Sequence, residues 1–122
     1  MKTMLLPSLR KRVTAENNCS SLTAVRTIYE RHENYVRVSF TITGTATTGA
    51  TSTRIRMTLP SRATSAFTAA NQLMGVCAVV TNSNDNGGYV QADATNDVAQ
   101  IGFIPTSSGA FTVVGNFQYQ VI

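Results

Sequence analysis

Residues 35–43, Tyr35-Val36-Arg37-Val38-Ser39-Phe40-Thr41-Ile42-Thr43, alternate apolar and polar almost without a fault. A nine-residue stretch of only Gly, Thr, Ala and Ser follows, Gly44 to Ser52. Then Arg54-Ile55-Arg56-Met57-Thr58-Leu59 alternates again and stops at Pro60. Strict alternation puts every second side chain on one face, the pattern of a half-buried strand. Val36, Val38, Phe40 and Ile42 therefore face a core, as do Ile55, Met57 and Leu59. Arg37, Arg54 and Arg56 face the other way. The simplest reading is one long hairpin over residues 35–59 that places the three arginines on a shared outer face. Like charges there repel unless an acidic or aromatic surface covers them. This makes Arg37, Arg54 and Arg56 the candidate interface or anionic-ligand residues.

The rest of the chain repeats the theme. Leu22–Tyr29, Val76–Thr81, Tyr89–Asp93, Val98–Ile104 and Ala110–Ile122 read as further strands, separated by Gly, Asn, Asp and Pro turns. Val76–Thr81 reads as an apolar strand, either buried on both faces or central in its sheet. Asn86-Gly87 is a strong short hairpin signal. Gly115 interrupts the last strand and predicts a bulge. Ala63–Leu73 fits either a short helix or an irregular crossover with Phe67 turned inward. No helical pattern alternates with the strands, so a parallel α/β sheet is excluded. The expected fold is all-β, an antiparallel β-sandwich of seven or eight strands with jelly-roll character; a small closed barrel is the second choice. Thr occurs 18 times, which suits pleated strands. With 43% apolar residues in 122, one domain can bury a sizeable core.

Charge is sparse, and its distribution matters more than its sum of +4. Lys2, Arg10, Lys11 and Arg12 come before the first acid, Glu16, and from residue 13 onward six Arg balance six acids. The expectation is a flexible basic arm over 1–20 and a neutral domain over 21–122. Arg10, Lys11 and Arg12 are candidate assembly or nucleic-acid contacts, but three charges give only weak, salt-sensitive phosphate binding. A neutral body argues against a nucleic-acid binder. The apolar run before Pro7 is too short for a signal peptide, and no stretch approaches the ~18 apolar residues of a membrane helix.

No residue pattern calls for catalysis, a metal or a cofactor. His32, the single histidine, sits in a polar turn with no nucleophile placed beside it. Asn82, Asn84, Asn86 and Asp93 mimic calcium-loop spacing, but Asn leads the loop and strands flank it. Asp85, Asp93 and Asp97 fall close together, as glycosidase carboxylates do, yet Asp at turns caps backbone, and the chain has no Trp platform. Asn18-Cys19-Ser20 matches a glycosylation acceptor by chance. Cys19 and Cys77 can pair or remain two free thiols; the tendency of Cys to act as a small core hydrophobe favours free thiols.

Tyr29-x-Arg31, Asn34-x-Val36-x-Val38-Ser39, the Thr/Gly loop, Leu59-Pro60, Gly75 and Phe117-Gln118-Tyr119-Gln120-Val121-Ile122 together resemble a group of small all-β domains in tailed-phage virion proteins, often C-terminal in tail fibres. The resemblance covers about residues 20–122. This chain departs from the group at His32 and Glu33, where most members carry an apolar residue and Gly. It implies a non-enzymatic homotrimeric structural or receptor-binding module. The module sits on the virion among other virion proteins and contacts a host receptor or surface glycan. A capsid or head-decoration protein that uses the basic arm is the alternative.

Overall fold

The computed structural model describes residues 2–5, 13–59, 67–82 and 87–120. The nine strands among the described residues are β1 (Lys2–Leu5), β2 (Val13–Asn17), β3 (Cys19–His32), β4 (Tyr35–Ala46), β5 (Thr53–Met57), β6 (Leu73–Thr81), β7 (Gly87–Asp93), β8 (Val98–Phe103) and β9 (Gly109–Gln120). All pair antiparallel in one sheet of order β1-β3-β4-β9-β6-β7-β8-β5-β2. The expected all-β antiparallel class is correct. Strands β3 to β9 correspond to the seven read from the sequence. The other two come from the segment read as an arm: Val13–Asn17 pairs with β5 and buries Val13, and Lys2–Leu5 pairs with β3. Arg10, Lys11 and Arg12 lie outside the described residues, as do Asn84, Asp85 and Asn86.

The strand order and the chain path together force the sheet to curl. β2 is one edge of the sheet, and β3 lies next to the opposite edge. Yet β2 ends at Asn17 and β3 begins at Cys19, with Asn18 alone between them. Consecutive Cα atoms are ~3.8 Å apart, so the two ends of the sheet must meet at this corner. The result is a nearly closed sheet wrapped around one core, intermediate between sandwich and barrel. Closure demands strong local twist, and bulges supply it. The β3–β4 ladder shifts register twice, between Ser20 and Thr23 and between Ala24 and Arg26. Ser21 has φ 55°, and Val25 is pushed outward.

Alternation decides what fills the interior. Val36, Val38, Phe40 and Ile42 of β4 point inward, and so do Ile55 and Met57 of β5. They meet Phe111, Val113, Phe117 and Tyr119 of β9. Phe67, which precedes a single 3-10 turn at Ala70–Gln72, packs edge-on against Tyr119 with ring centroids 6.3 Å apart. Residues 63–66 of the possible helix lie outside the described residues. Phe103 and Phe111 close the other end at 5.0 Å. Burying each such side chain stabilises the fold by roughly 1.5–3 kcal/mol.

Three expectations need correction. Strands β4 and β5 do not pair: β4 lies between β3 and β9, and β5 between β8 and β2. Alternation fixes which face of a strand is buried but not its neighbour, so the long hairpin over 35–59 does not form. Gly115 is not a bulge. The β4–β9 ladder runs in unbroken register from Tyr35↔Gln120 to Ala46↔Gly109, with Phe40 opposite Gly115. A Cβ at Gly115 would lie 2.8 Å from Phe40 Cζ and 2.6 Å from the Val76 carbonyl oxygen, so glycine makes room for the ring. The break in β9 pairing falls instead between Val79 and Thr81, on β6. Finally, of the two readings of the Val76–Thr81 strand, the central one holds and burial on both faces does not: β6 is paired on both sides, but only one of its faces is buried.

Asn18 holds the closure. Its φ is 59°, a conformation that Asn tolerates better than most residues. Its side-chain amide donates to the Thr48 carbonyl at 2.8 Å and to Thr53 Oγ1 at 2.9 Å, while its Oδ1 accepts from the Thr48 N–H at 2.9 Å. The Asn18 backbone carbonyl accepts from the Thr47 N–H at 3.1 Å. Replacing Asn18 by Ala should cost about 1–3 kcal/mol in chemical denaturation, since a part-buried bond to Thr53 and two more exposed bonds to the Thr48 backbone are lost together. Asn18→Gly relaxes the φ but removes the same bonds, so it should lose nearly as much. A glycine variant as stable as wild type would show that backbone conformation, not the side-chain clamp, matters.

Candidate binding surfaces

Arg54 and Arg56 stand on the outer face of β5, where an ion-pair network crosses four strands. Glu16 of β2 receives Arg54 Nε at 3.0 Å and Arg56 Nε at 3.3 Å on its two carboxylate oxygens. Gln100 of β8 donates to both oxygens, at 3.0 and 3.1 Å. Gln91 of β7 in turn donates to Gln100 Oε1 at 3.0 Å. Arg56 Nε also lies 3.3 Å from Asp93 Oδ2 at the end of β7. The Arg54 contact with Glu16 is close but not aligned as a hydrogen bond. The expected acidic cover for these arginines is thus present, and the chain supplies it itself.

Of the three neighbouring aspartates, Asp93 and Asp97 hold the turn after β7 and the segment packed on it. Asp93 accepts from the Asn96 backbone and side-chain amides at 3.2 and 2.9 Å. Partial burial pushes its pKa up, but the Asn96 hydrogen bonds and the Arg56 guanidinium outweigh that and hold it below the usual carboxylate value. Its stabilising contribution is therefore present above the ordinary Asp pKa and fades as pH falls through the depressed folded value. Asp97, with φ 56°, accepts the Phe67 N–H at 3.1 Å and so pins the segment that delivers Phe67 to the core. Among the described residues no group of three or more His, Cys, Asp or Glu is placed to hold a metal.

Arg37 is elsewhere. On β4 it lies opposite Glu30 of β3 and Gln118 of β9, outward-facing like Arg54 and Arg56 but separated from them by β9, β6, β7 and β8. Among the described residues no carboxylate lies within 4.0 Å of it in an ion pair. His32, at the exposed end of β3, is opposite Tyr35, which is 55% exposed. The intervening Glu33 has φ 56°, a backbone region that favours glycine. A shallow cleft of about 460 Å³ is lined by Glu30, His32, Tyr35, Arg37 and Gln118. A second depression of about 570 Å³ continues from Glu30, Arg37 and Gln118 toward Met74 and Val76.

That continuation reaches a row of exposed apolar side chains on β6. Met74, Val76 and Val80 of β6 are 63%, 64% and 65% exposed, and Ala78 between them is also exposed. Leu73, Cys77 and Val79 of the same strand point into the core. Every residue from Val76 to Val80 is apolar, so the period of two is invisible in composition and the strand reads as buried twice. In the single chain one face is bare. Tyr89 flanks the row on β7, opposite Val76. On β9, Asn116 lies opposite Val76 and Gln118 opposite Met74, giving a polar rim.

The Gly/Thr/Ala/Ser loop at 47–52 is not a free tip. Asn18 binds it, Asn17 Nδ2 donates to the Ser52 carbonyl at 2.8 Å, and the Ala50 N–H donates to the Pro105 carbonyl at 2.8 Å. Asn82 (φ 68°) repeats the device on the 104–108 loop: its Nδ2 donates to the Ser107 carbonyl at 2.7 Å and its Oδ1 accepts the Ser107 N–H at 2.8 Å. Composition hid both clamps. Asn at a strand boundary, a residue type that tolerates positive φ, is the one local signal the sequence carries.

Both cysteines are free thiols, with Cys77 buried and Cys19 half-buried. Burial raises the pKa of Cys19 and pushes that of Cys77 up to about 11, despite an opposing backbone contact with Gly88. A thiol-specific disulfide reagent at pH 8 should therefore modify native Cys19 first and Cys77 only at the rate of unfolding; rapid labelling of both would contradict this burial. A second expectation concerns the network. Glu16→Gln keeps an acceptor for Gln100 but removes the charge. It should lower stability by about 1 kcal/mol at low salt, with the difference shrinking at high salt, because the arginine ends are partly solvated. A loss that is the same at all salt concentrations would assign the effect to packing.

In comparison with known proteins, no family model, curated protein or solved structure matches this chain.

Proposed function

We propose that this chain is a non-enzymatic assembly module of a phage virion, and that it self-associates through the outer face of β6. The observation that carries the reading is the exposed row Met74, Val76, Ala78 and Val80 with its polar rim. Contiguous apolar surface of this kind marks protein contact. A second copy is the occupant that fits best. The row itself carries no charge, so two copies meet without like-charge repulsion, and residues 13–122 carry six positive and six negative charges. The sequence of β6 is also that of a strand covered on both faces, which a partner copy would complete. The placement on a virion rests on the resemblance to tailed-phage domains, which also implies three copies.

Light scattering coupled to size exclusion at micromolar concentration tests the reading. Wild type is expected to run as a discrete oligomer, with a trimer as the specific expectation. Val76→Asp, which places a charge at the centre of the row on an outward-facing position, should keep the β-sheet circular-dichroism spectrum and weaken association by about a hundredfold or more. That follows from the several kcal/mol cost of an unpaired buried charge. A wild-type monomer at that concentration would sink the proposal.

A further inference from the structure

We infer that the cleft around Arg37 binds a carboxylated sugar. Three observations converge there. Arg37 is an exposed cation with no carboxylate ion pair among the described residues, unlike Arg54 and Arg56, which are neutralised by Glu16 and Asp93. Tyr35, two residues before it on β4, points to the same outer face and is 55% exposed. Gln118 and Glu30 sit opposite Arg37 on the two neighbouring strands, and His32 sits opposite Tyr35.

Each group has a distinct part to play. A guanidinium fork recognises a planar carboxylate through paired N–H donors. A bare tyrosine ring offers an apolar face to the C–H side of a sugar ring while its hydroxyl stays wet. Gln118 offers both donors and acceptors, and Glu30 offers acceptors, for ring hydroxyls. The cleft volume of about 460 Å³ falls within the ~300–1,000 Å³ of small-molecule sites. A neutral sugar leaves Arg37 unanswered, and a small inorganic anion leaves Tyr35 unused. The strands are rigid supports: the β4–β9 register is continuous across Arg37, so the constellation is set before any ligand arrives. Tyr35 and His32 lie away from the β6 row, whereas Arg37 and Gln118 border the depression that reaches it, so the test includes a variant in which the row is disrupted.

Amide chemical shifts of the isotope-labelled full chain, titrated with methyl glucuronide, test this. Saturable shifts at Tyr35, Arg37 and Gln118 are expected, with at least tenfold weaker response to methyl glucoside and to acetate. Arg37→Ala should weaken methyl glucuronide binding tenfold or more, Tyr35→Ala several-fold, and Arg26→Ala, an exposed arginine on β3 outside the cleft, not at all. The same titration on the Val76→Asp variant separates this inference from the assembly reading, because its shifts should persist whatever the oligomeric state. No saturable shift in the cleft would overturn the inference. So would equal response to glucoside, or acetate acting as well as the glucuronide, which would reduce the site to a bare cation.

Discussion

One residue decides the shape of this molecule. The chain leaves β2 at one edge of the sheet and enters β3 beside the opposite edge with only Asn18 between. No flat sheet of nine strands permits that, because neighbouring strands are ~4.8 Å apart and one residue cannot span the width. The sheet must curl until its ends meet, and the two bulges at the start of β3 sit beside the corner where the curl is needed. The Asn18 side chain then replaces the ladder that a closed barrel would have there. It presents an acceptor and a donor to the Thr48 backbone, as a strand would, and reaches Thr53 as well. A closed edge is also a protected edge, so the corner removes a template for unwanted strand pairing.

Closure divides the outer surface into two unlike halves. Around β2, β5, β8 and β7, each exposed arginine of β5 meets Glu16, and the glutamines of β7 and β8 link to it. In this half the arginine charges are paired within the chain, and the pairs hold β2 against the body. Around β4, β9 and β6 the surface is the reverse: an arginine without an ion pair among the described residues, a bare tyrosine and a row of uncovered aliphatic side chains. The glycines follow the same logic on the inside. Gly115 lets the Phe40 ring fill the space between β4 and β9, so the long strands stay in register and their outer side chains form an ordered grid.

The sequence made some of this legible and concealed the rest for physical reasons. Side-chain facing on β4, β5 and β9 followed from alternation, because the period of two is a local property of extended backbone. Pairing partners did not, because pairing is set by the whole curled sheet; hence Arg37 was grouped with Arg54 and Arg56, although β9, β6, β7 and β8 separate β4 from β5. The N-terminal segment misled in a similar way. Val13-Thr14-Ala15-Glu16-Asn17 follows a basic run and has only one strongly apolar residue, yet an edge strand with one inward-facing Val requires no more. Glu16 was counted there as the first acid of the chain, not as the partner of the arginines 38 and 40 positions later, since contact across a closed sheet leaves no trace in spacing. The clamp roles of Asn18 and Asn82 leave no pattern in the sequence, because a one-residue clamp has no periodicity.

β6 shows where a pattern fails in an informative direction. A run of unbroken apolar residues predicts cover on both faces, and the single chain provides it on one. Composition responds to the surroundings in which a protein works, whereas the fold of one chain shows only its intramolecular part. A mismatch between the two is therefore a statement about missing surroundings, provided the strand is otherwise well formed. β6 meets that condition: it sits at the middle of the sheet, paired on both sides, with Leu73, Cys77 and Val79 packed inward. Its outer row costs solvation in the isolated chain without improving the core. Met, Val and Val are harder to account for on a free surface than Thr, which this chain uses freely elsewhere and which has similar shape and strand preference. The choice of valine where threonine would serve a wet strand equally well is what supports the proposed self-association through the outer face of β6.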